Sequence, residues 1–354
     1  MKKICILFNH FQLEDGVCKA AISMANKLAT EKDVEITLRP LFKFDKNMLQ
    51  NVHPNVKVKK VFGFYFKGFS RIVKFIPHKL LYKIILNEKY DVEIGFCMSE
   101  PIRIIAHSSN KNAIKLAWMH GYDEGLTLID SYLKCDKLIC VSKSNAERVK
   151  KEAPILNVDY CYNMTDSNTI KHLGEESCEI EKKERLTLVS VGRMSSEKGF
   201  DRLIKAVSVI PNIELWLIGS GPKIEELKEL ANNLQVSDRI TFLGNQKNPH
   251  KYTSKADLFV CSSLSEGYST ACTEAVMLGI PVLSTDVSGA KEIVELAECG
   301  MVVENSEKSL IEAISNLAEN TEQITQWKKT LNKTKENFSV ENKVKKMKEL
   351  LDIK

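Results

Sequence analysis

Apolar runs rich in β-branched residues, each closed by turn residues, recur along the first part of the chain: "ICILF" (4–8), "VEITL" (34–38), "VEIGF" (92–96), "IKLAWM" (114–119) and "KLICVS" (137–142). Helical spacing fills several of the gaps, as in "CKAAISMANKLATE" (18–31). Runs this continuous predict strands buried on both faces, and their alternation with helices predicts a parallel sheet covered on two sides. The pattern lapses over a polar, acid-rich segment at 165–185 and restarts with "LTLVSVG" (186–192), "IELWLIG" (213–219), "ITFLG" (240–244), "DLFVCSS" (257–263) and "PVLSTD" (281–286). The expectation is two Rossmann-like α/β domains in tandem, joined near residue 165. Ligands of such sheets bind beyond the carboxyl ends of the strands, so the loops after these runs are where chemistry is sought.

Length supports two domains, because 354 residues exceed what one hydrophobic core organises. With 44% hydrophobic and 27% charged residues, the chain reads as a globular protein rather than a disordered one. The net charge of +5 conceals an asymmetry: residues 1–165 hold 26 Lys and Arg against 17 Asp and Glu, or +9, which leaves −4 for the remainder. Ten cysteines, at 5, 18, 97, 135, 140, 161, 178, 261, 272 and 299, form no CxxC and several sit in apolar runs. They read as reduced structural thiols of a cytoplasmic protein. The opening "MKKICILFNH" has a leader's lysines, but its apolar run ends at Asn9, and no run reaches the length of a membrane span.

Candidate chemistry gathers after the strands of the second half. "GRMSSEKGF" (192–200) sets Arg193 and Lys198 between a strand and a helix N-terminus, a place suited to a phosphate or diphosphate. "LIGSGP" (217–222) brings Gly219 and Gly221, which either admit a nucleotide to the backbone or form a tight turn. Gly244 ends the next strand, in "ITFLGNQ". In "SEGYSTACTEAVMLGIPV" (265–282), residues 262–269 read as a loop and 270–278 as a helix stopped by "GIP". That places Glu266 in the loop, either aimed into a cleft or acting as a cap before the helix, and Glu274 about one turn into the helix, either a ligand group or a partly buried carboxylate paired with a lysine.

"GRMSSEKG" followed by E-x7-E in "SLSEGYSTACTEAVMLGIPVLSTD" resembles retaining glycosyltransferase family four, closely over 186–305 and more loosely before it. The resemblance implies the GT-B fold, two Rossmann-like domains facing a cleft. It divides the chain into an acceptor-side domain at 1–165, a nucleotide-sugar domain at 166–337 and a helix at 338–354, "FSVENKVKKMKELL" onward, that returns to the first domain. It implies that Gly192 adjoins the donor, that Arg193 and Lys198 hold its diphosphate, and that Glu266 binds its sugar. Glu274 would accept from the ribose hydroxyls, and the amides around Ser269 and Thr270 would meet the phosphate. Residue types agree, since carboxylates accept from vicinal hydroxyls and fixed cations stabilise a departing diphosphate. The nucleotide sugar is then a co-substrate, with no cofactor and no metal, in keeping with the lack of a DxD-type pair after a strand.

In the first domain, "FNHFQLEDGVCKAA" (8–21) keeps only Gly16 of the family's glycine pair, and "LAWMHGYDEGL" (116–126) sets His120 just after a strand, like the family's histidine at the cleft. Residues 57–87 carry aromatic and basic residues and no acid. Their "LLYKIIL" part is expected in the core, while "FGFYFKGF" suits an anionic membrane surface at the inner face of the cell membrane better than nucleic acid, for which no binding motif is present. The resulting expectation is transfer of a sugar, UDP-linked by family frequency, to a saccharide or lipid-linked saccharide in cell-surface polysaccharide assembly. The alternatives are a non-catalytic GT-B partner subunit and a dinucleotide enzyme. The first has no need of all four site charges, and the second lacks GxGxxG after the first strand.

Overall fold

The computed structural model describes residues 1–12, 16–66, 68–180, 183–338 and 340–353, so positions 13–15 of the acceptor-side loop and Lys67 of the basic stretch lie outside the described residues. The chain divides into two compact units: Met1–Met164 together with the terminal segment from Glu341, and Thr165–Val340.

In the first unit, β1 (Lys2–Phe8), β2 (Val34–Pro40), β3 (Val56–Val58), β4 (Val92–Gly95), β5 (Ile114–Met119), β6 (Lys137–Cys140) and β7 (Val158–Tyr160) form a seven-stranded parallel sheet in the order β3-β2-β1-β4-β5-β6-β7. Ile4 through Phe8 are all fully buried, which is why that run shows no alternation: helices cover both faces of its strand. In the second unit, β8 (Leu186–Val191), β9 (Ile213–Ile218), β10 (Ile240–Gly244), β11 (Leu258–Cys261), β12 (Val282–Thr285) and β13 (Met301–Val303) form a six-stranded parallel sheet in the order β10-β9-β8-β11-β12-β13. Its core joins Leu188, Leu215, Leu217, Val260 and Leu283 of the sheet to Leu203, Ile204 and Val207 of the helix Phe200–Val209 and to Ile314 of the helix Glu307–Glu319. The strand order reverses between β1 and β4 and again between β8 and β11, which opens a crevice at the carboxyl ends of each pair.

The helix Val340–Leu350 packs on the first unit. Met347, Leu350 and Leu351 are buried, Lys346 pairs with Asp159 at 3.0 Å and Lys348 with Glu31 at 2.8 Å. Lys343 donates to the Asn163 carbonyl at 3.3 Å, and burial pushes its ammonium down to about 8. Ion pairs of this exposure contribute at most about 1 kcal/mol each, so the apolar face holds the helix in place.

One expectation needs correction. "LLYKIIL" does not pack wholly in the core: the helix His78–Ile85 buries Leu81, Tyr82 and Ile85 and exposes Leu80 and Ile84, because the 3.6-residue period turns adjacent apolar residues to opposite faces. The basic stretch also begins with a strand, since β3 pairs with β2 at the sheet edge. Among the described residues, no helix is long and apolar enough to cross a membrane. All ten cysteines are free, and seven are buried.

Glu93 lies inside the first sheet with no exposed surface, accepts from Tyr82 Oη at 2.8 Å, and leaves its Oε2 without a partner. Burial pushes its carboxyl above the ordinary value, against hydrogen bonds that lower it. A folded-state pKa above the unfolded one gives stability that is complete at low pH and lost as pH rises through the folded value. Glu93→Gln removes that dependence. Its Tm relative to the parent is expected to climb as pH rises from about 4.3, the ordinary glutamate value, as scanning calorimetry will show.

Candidate functional site

The crevice between β8 and β11 is closed by two loops that the sequence singles out. After β8, Gly192 and Arg193 lead into a short 3-10 turn, Ser196–Lys198, then Gly199 and the helix Phe200–Val209. After β11, residues 262–269 lead into the helix Thr270–Met277. Lys198 Nζ and Glu266 Oε1 meet across the crevice at 2.6 Å, with side chains 25% and 14% exposed. Ser263 Oγ donates to the same Glu266 oxygen at 2.7 Å. Burial alone would lower the Lys198 pKa, yet the charge of Glu266 and the hydrogen bond to it raise it above the ordinary lysine value, so Lys198 is an ammonium at neutral pH.

The backbone stitches the two loops into one rigid edge. Ser262 Oγ donates to the Lys198 carbonyl at 2.9 Å, and Leu264 N–H donates to the Glu197 carbonyl at 2.8 Å. Gly199 has φ +61°, and a Cβ there would stand 2.3 Å from the Ser262 carbonyl oxygen. On the outer side, Arg202 donates to Asn305 Oδ1 at 2.7 Å, and Asn305 Nδ2 donates to the Leu264 carbonyl at 3.0 Å. Thr285 Oγ1, fully buried, donates to the Ser263 carbonyl at 2.7 Å.

Arg193 stands apart from this pair. Its side chain is 67% exposed and donates to Glu197 Oε1 at 2.9 Å, an i,i+4 ion pair at the surface. The Glu197 carboxyl, which partial burial would raise, is held down to about 2 by hydrogen bonds from Ser195 Oγ and Arg193. The glutamate is therefore ionised whenever the arginine is near it.

Gly219 and Gly221 admit protein rather than open space. A Cβ on Gly219, whose φ is +138°, would lie 1.9 Å from the Gly192 carbonyl oxygen, and one on Gly221 would lie 2.4 Å from the Met194 oxygen. The turns after β8 and β9 press backbone on backbone, joined by Met194 N–H to the Ser220 carbonyl at 3.0 Å and Lys223 N–H to the Met194 carbonyl at 2.9 Å. The glycine spacing thus has the tight-turn explanation, and it fixes the turn that carries Arg193 and Lys198. Gly244 accepts from Gly219 N–H at 2.8 Å and has a left-handed φ of +65°.

Glu274 lies on the fifth residue of the helix Thr270–Met277, 3.9 Å from His250 Nδ1 of the short helix that follows β10. Ser269 caps the helix, its Oγ accepting from Cys272 N–H at 3.3 Å. The amides of Thr270 and Ala271 open the helix, where no intrahelical acceptor exists for them. The structure therefore ranges Lys198, Glu266, the Ser269–Thr270 helix start and Glu274 along the carboxyl edge of one sheet.

His120 and Gly16 belong to the first unit. His120 follows β5, its ring 4.4 Å from that of Phe96, with Nε2 buried and without a partner. Burial holds its pKa down to about 3, so the imidazole is neutral. Gly16 begins the helix Gly16–Leu28, and a Cβ there would meet nothing within 4 Å. Glu197, Gly199, Ser263, His250 and Asn305 escape the motif reading. Glu197 was signalled by its i+4 spacing from Arg193, while Asn305 had no sequence signal.

Asn305→Ala removes the link from Arg202 to the 262–266 loop without touching the Lys198–Glu266 pair. Two hydrogen bonds are lost, at about 1 kcal/mol of stability each, and the freed loop is expected to raise KM more than it lowers kcat. Steady-state kinetics on the variant check this.

Residues 175–334 match the family model of glycosyl transferases group 1. The lipopolysaccharide core biosynthesis glycosyltransferase LpsE of Rhizobium meliloti is 26% identical over 297 residues, covering 83% of each chain. The N-acetylgalactosamine-N,N'-diacetylbacillosaminyl-diphospho-undecaprenol 4-alpha-N-acetylgalactosaminyltransferase of Campylobacter jejuni is 30% identical over 220 residues, covering 60% of this chain and 58% of its own. The crystal structure of Anabaena HepE in complex with UDP superposes with a TM-score of 0.76 at 17% identity, covering 99% of this chain and 100% of that one. The second unit thus carries the group 1 glycosyltransferase family model over residues 175–334, and the likeness to HepE over almost the full length gives the chain the GT-B fold.

Proposed function

We propose that the enzyme transfers a sugar from a UDP-sugar, with retention and without a metal ion, to a saccharide or lipid-linked saccharide in cell-surface polysaccharide assembly. The observation that carries this reading is the Lys198–Glu266 pair at the point where strand order reverses, flanked by the helix start at Ser269–Thr270 and by Glu274. HepE binds UDP, and the Campylobacter relative's name includes a diphospho-undecaprenol acceptor, which supports both halves of the reaction.

In this scheme the diphosphate takes Lys198 and, once released from Glu197, Arg193, with the amides at Ser269 and Thr270 completing its cradle. Glu266 turns its acceptor capacity to sugar hydroxyls and Glu274 to the ribose. The anomeric bond to the diphosphate breaks, the acceptor oxygen bonds to the same face, and its proton leaves on the departing phosphate oxygen. Lys198, already fixed in the crevice, and Arg193, recruited from Glu197, supply the charge stabilisation that a divalent ion would otherwise give. His120, held neutral by burial, serves through a hydrogen bond at Nε2 and neither takes nor gives the acceptor's proton. The lipid-linked acceptor is met at an anionic membrane surface through residues 57–87.

Lys198→Ala is expected to reduce turnover at least about a hundredfold with the fold intact, the scale for losing one preorganised charge donor. Near-normal turnover sinks the assignment. In a thermal-shift panel of UDP-, GDP- and ADP-sugars, one donor is expected to stabilise the parent and not Glu266→Ala. Chelation with EDTA is expected to leave the rate unchanged, and the pH–rate profile to show no inflection near the ordinary histidine value of about 6.5.

A further inference from the structure

The outer surface of residues 60–66 and 68–84 differs from the rest of the described residues in both polarity and charge. Six of the 13 large hydrophobic side chains exposed among the described residues fall there: Phe64, Phe66, Ile72, Phe75, Leu80 and Ile84, with Phe75 88% exposed. Lys60, Arg71, Lys74, Lys79 and Lys83 are exposed beside them. None of these five cations makes an ion pair or side-chain hydrogen bond among the described residues, whereas Lys57 and Lys59, just before them, pair with Glu35 and Glu88.

Helical phase explains how one segment both anchors and exposes. The helix His78–Ile85 buries Leu81, Tyr82 and Ile85 and presents Lys79, Leu80, Lys83 and Ile84 on its other face, an i, i+1, i+4, i+5 set. The helix Phe69–Val73 buries its two ends and exposes Arg71 and Ile72. In the loop before it, Phe64 and Phe66 lie parallel, 6.5 Å apart and solvent-facing. Tyr65 between them instead packs on His10 at 5.7 Å, under Lys43 at 5.8 Å. The exposed patch is thus continuous with the loop after β1, on the acceptor side of this unit.

We infer that this face is a docking surface for an anionic lipid bilayer, with Phe64, Phe66 and Phe75 entering the headgroup boundary and Arg71, Lys74, Lys79 and Lys83 meeting the headgroups. Charge complementarity selects the partner. A second copy docking on the same face would set unpaired cations against unpaired cations, and a nucleic acid has no use for the aliphatic Ile72, Leu80 and Ile84. Aromatic and aliphatic side chains interleaved with unpaired bases match a surface that is apolar beneath and negative above. The inference names the residues behind the reading of a lipid-linked acceptor and rests on that reading for its purpose only.

The test is co-sedimentation of the whole protein with vesicles of phosphatidylcholine alone and of equimolar phosphatidylcholine and phosphatidylglycerol. Binding is expected to the second at low salt and to weaken as salt rises. Lys79→Ala with Lys83→Ala is expected to weaken it at least about tenfold, at about fivefold per basic residue, and Phe64→Ser with Phe66→Ser to remove the binding that survives salt. Equal binding to neutral vesicles, no binding at low salt, unchanged binding by both variants, or tighter binding to a DNA oligonucleotide each overturns the inference. Stabilisation by UDP, measured on the parent and both variants, is expected to be equal in all three. Its absence from the parent counts against the donor reading while the vesicle result stands.

Discussion

The ion pair between Lys198 and Glu266 organises the second unit's functional edge. It joins the first turn after β8 to the loop after β11, the two segments that diverge where strand order reverses. Both groups are mostly removed from water, so each needs a partner at all times, and an isolated charge there would be costly. A ligand that brings negative charge to the ammonium and hydroxyl donors to the carboxylate can replace the pair contact for contact. A ligand lacking either leaves one side unmatched, which is a physical basis for selectivity.

Rigidity around that pair comes mostly from the backbone. Gly199 lets the Ser262 carbonyl approach, Gly219 lets the Gly192 carbonyl approach, and hydrogen bonds from Ser262, Leu264 and Asn305 close the remaining freedom. Arg193, outside this frame and tied to Glu197 at the surface, is the exposed cation of the two. One charge is thus fixed in position before any ligand arrives, and the other is held ready on a longer tether.

The first unit divides its labour differently. Its central strand β4 carries the buried Glu93, bonded by Tyr82 of the covering helix, while the segment after β3 turns one face to that core and the other, basic and aromatic, to solvent. His120 and its Phe96 neighbour sit at the carboxyl ends of strands, with an imidazole whose burial keeps it neutral. Among the described residues, unpaired cations in this half gather on the outer surface of the segment after β3, while the carboxyl ends of β4 and β5 set a neutral imidazole in the same region of the fold as Glu100, a buried carboxylate held by His78 and Arg103.

Periodicity and motif spacing by themselves determined the two-sheet α/β class, the ten long strands, the loop position of Glu266 and the helical position of Glu274. Those signals are local: an unbroken buried run or a turn residue acts on its own neighbours. The short strands β3, β7 and β13 were not legible, because three residues at or near a sheet edge carry no period and owe their pairing to the strand beside them. Only the tertiary structure decided that Lys198 meets Glu266, that Gly219 and Gly221 admit neighbouring turns, that Asn305 braces a loop 41 residues before it, and that Leu80 and Ile84 face outward. Each depends on which strands lie side by side, and strand order in a parallel sheet is set by long-range packing that local sequence does not encode.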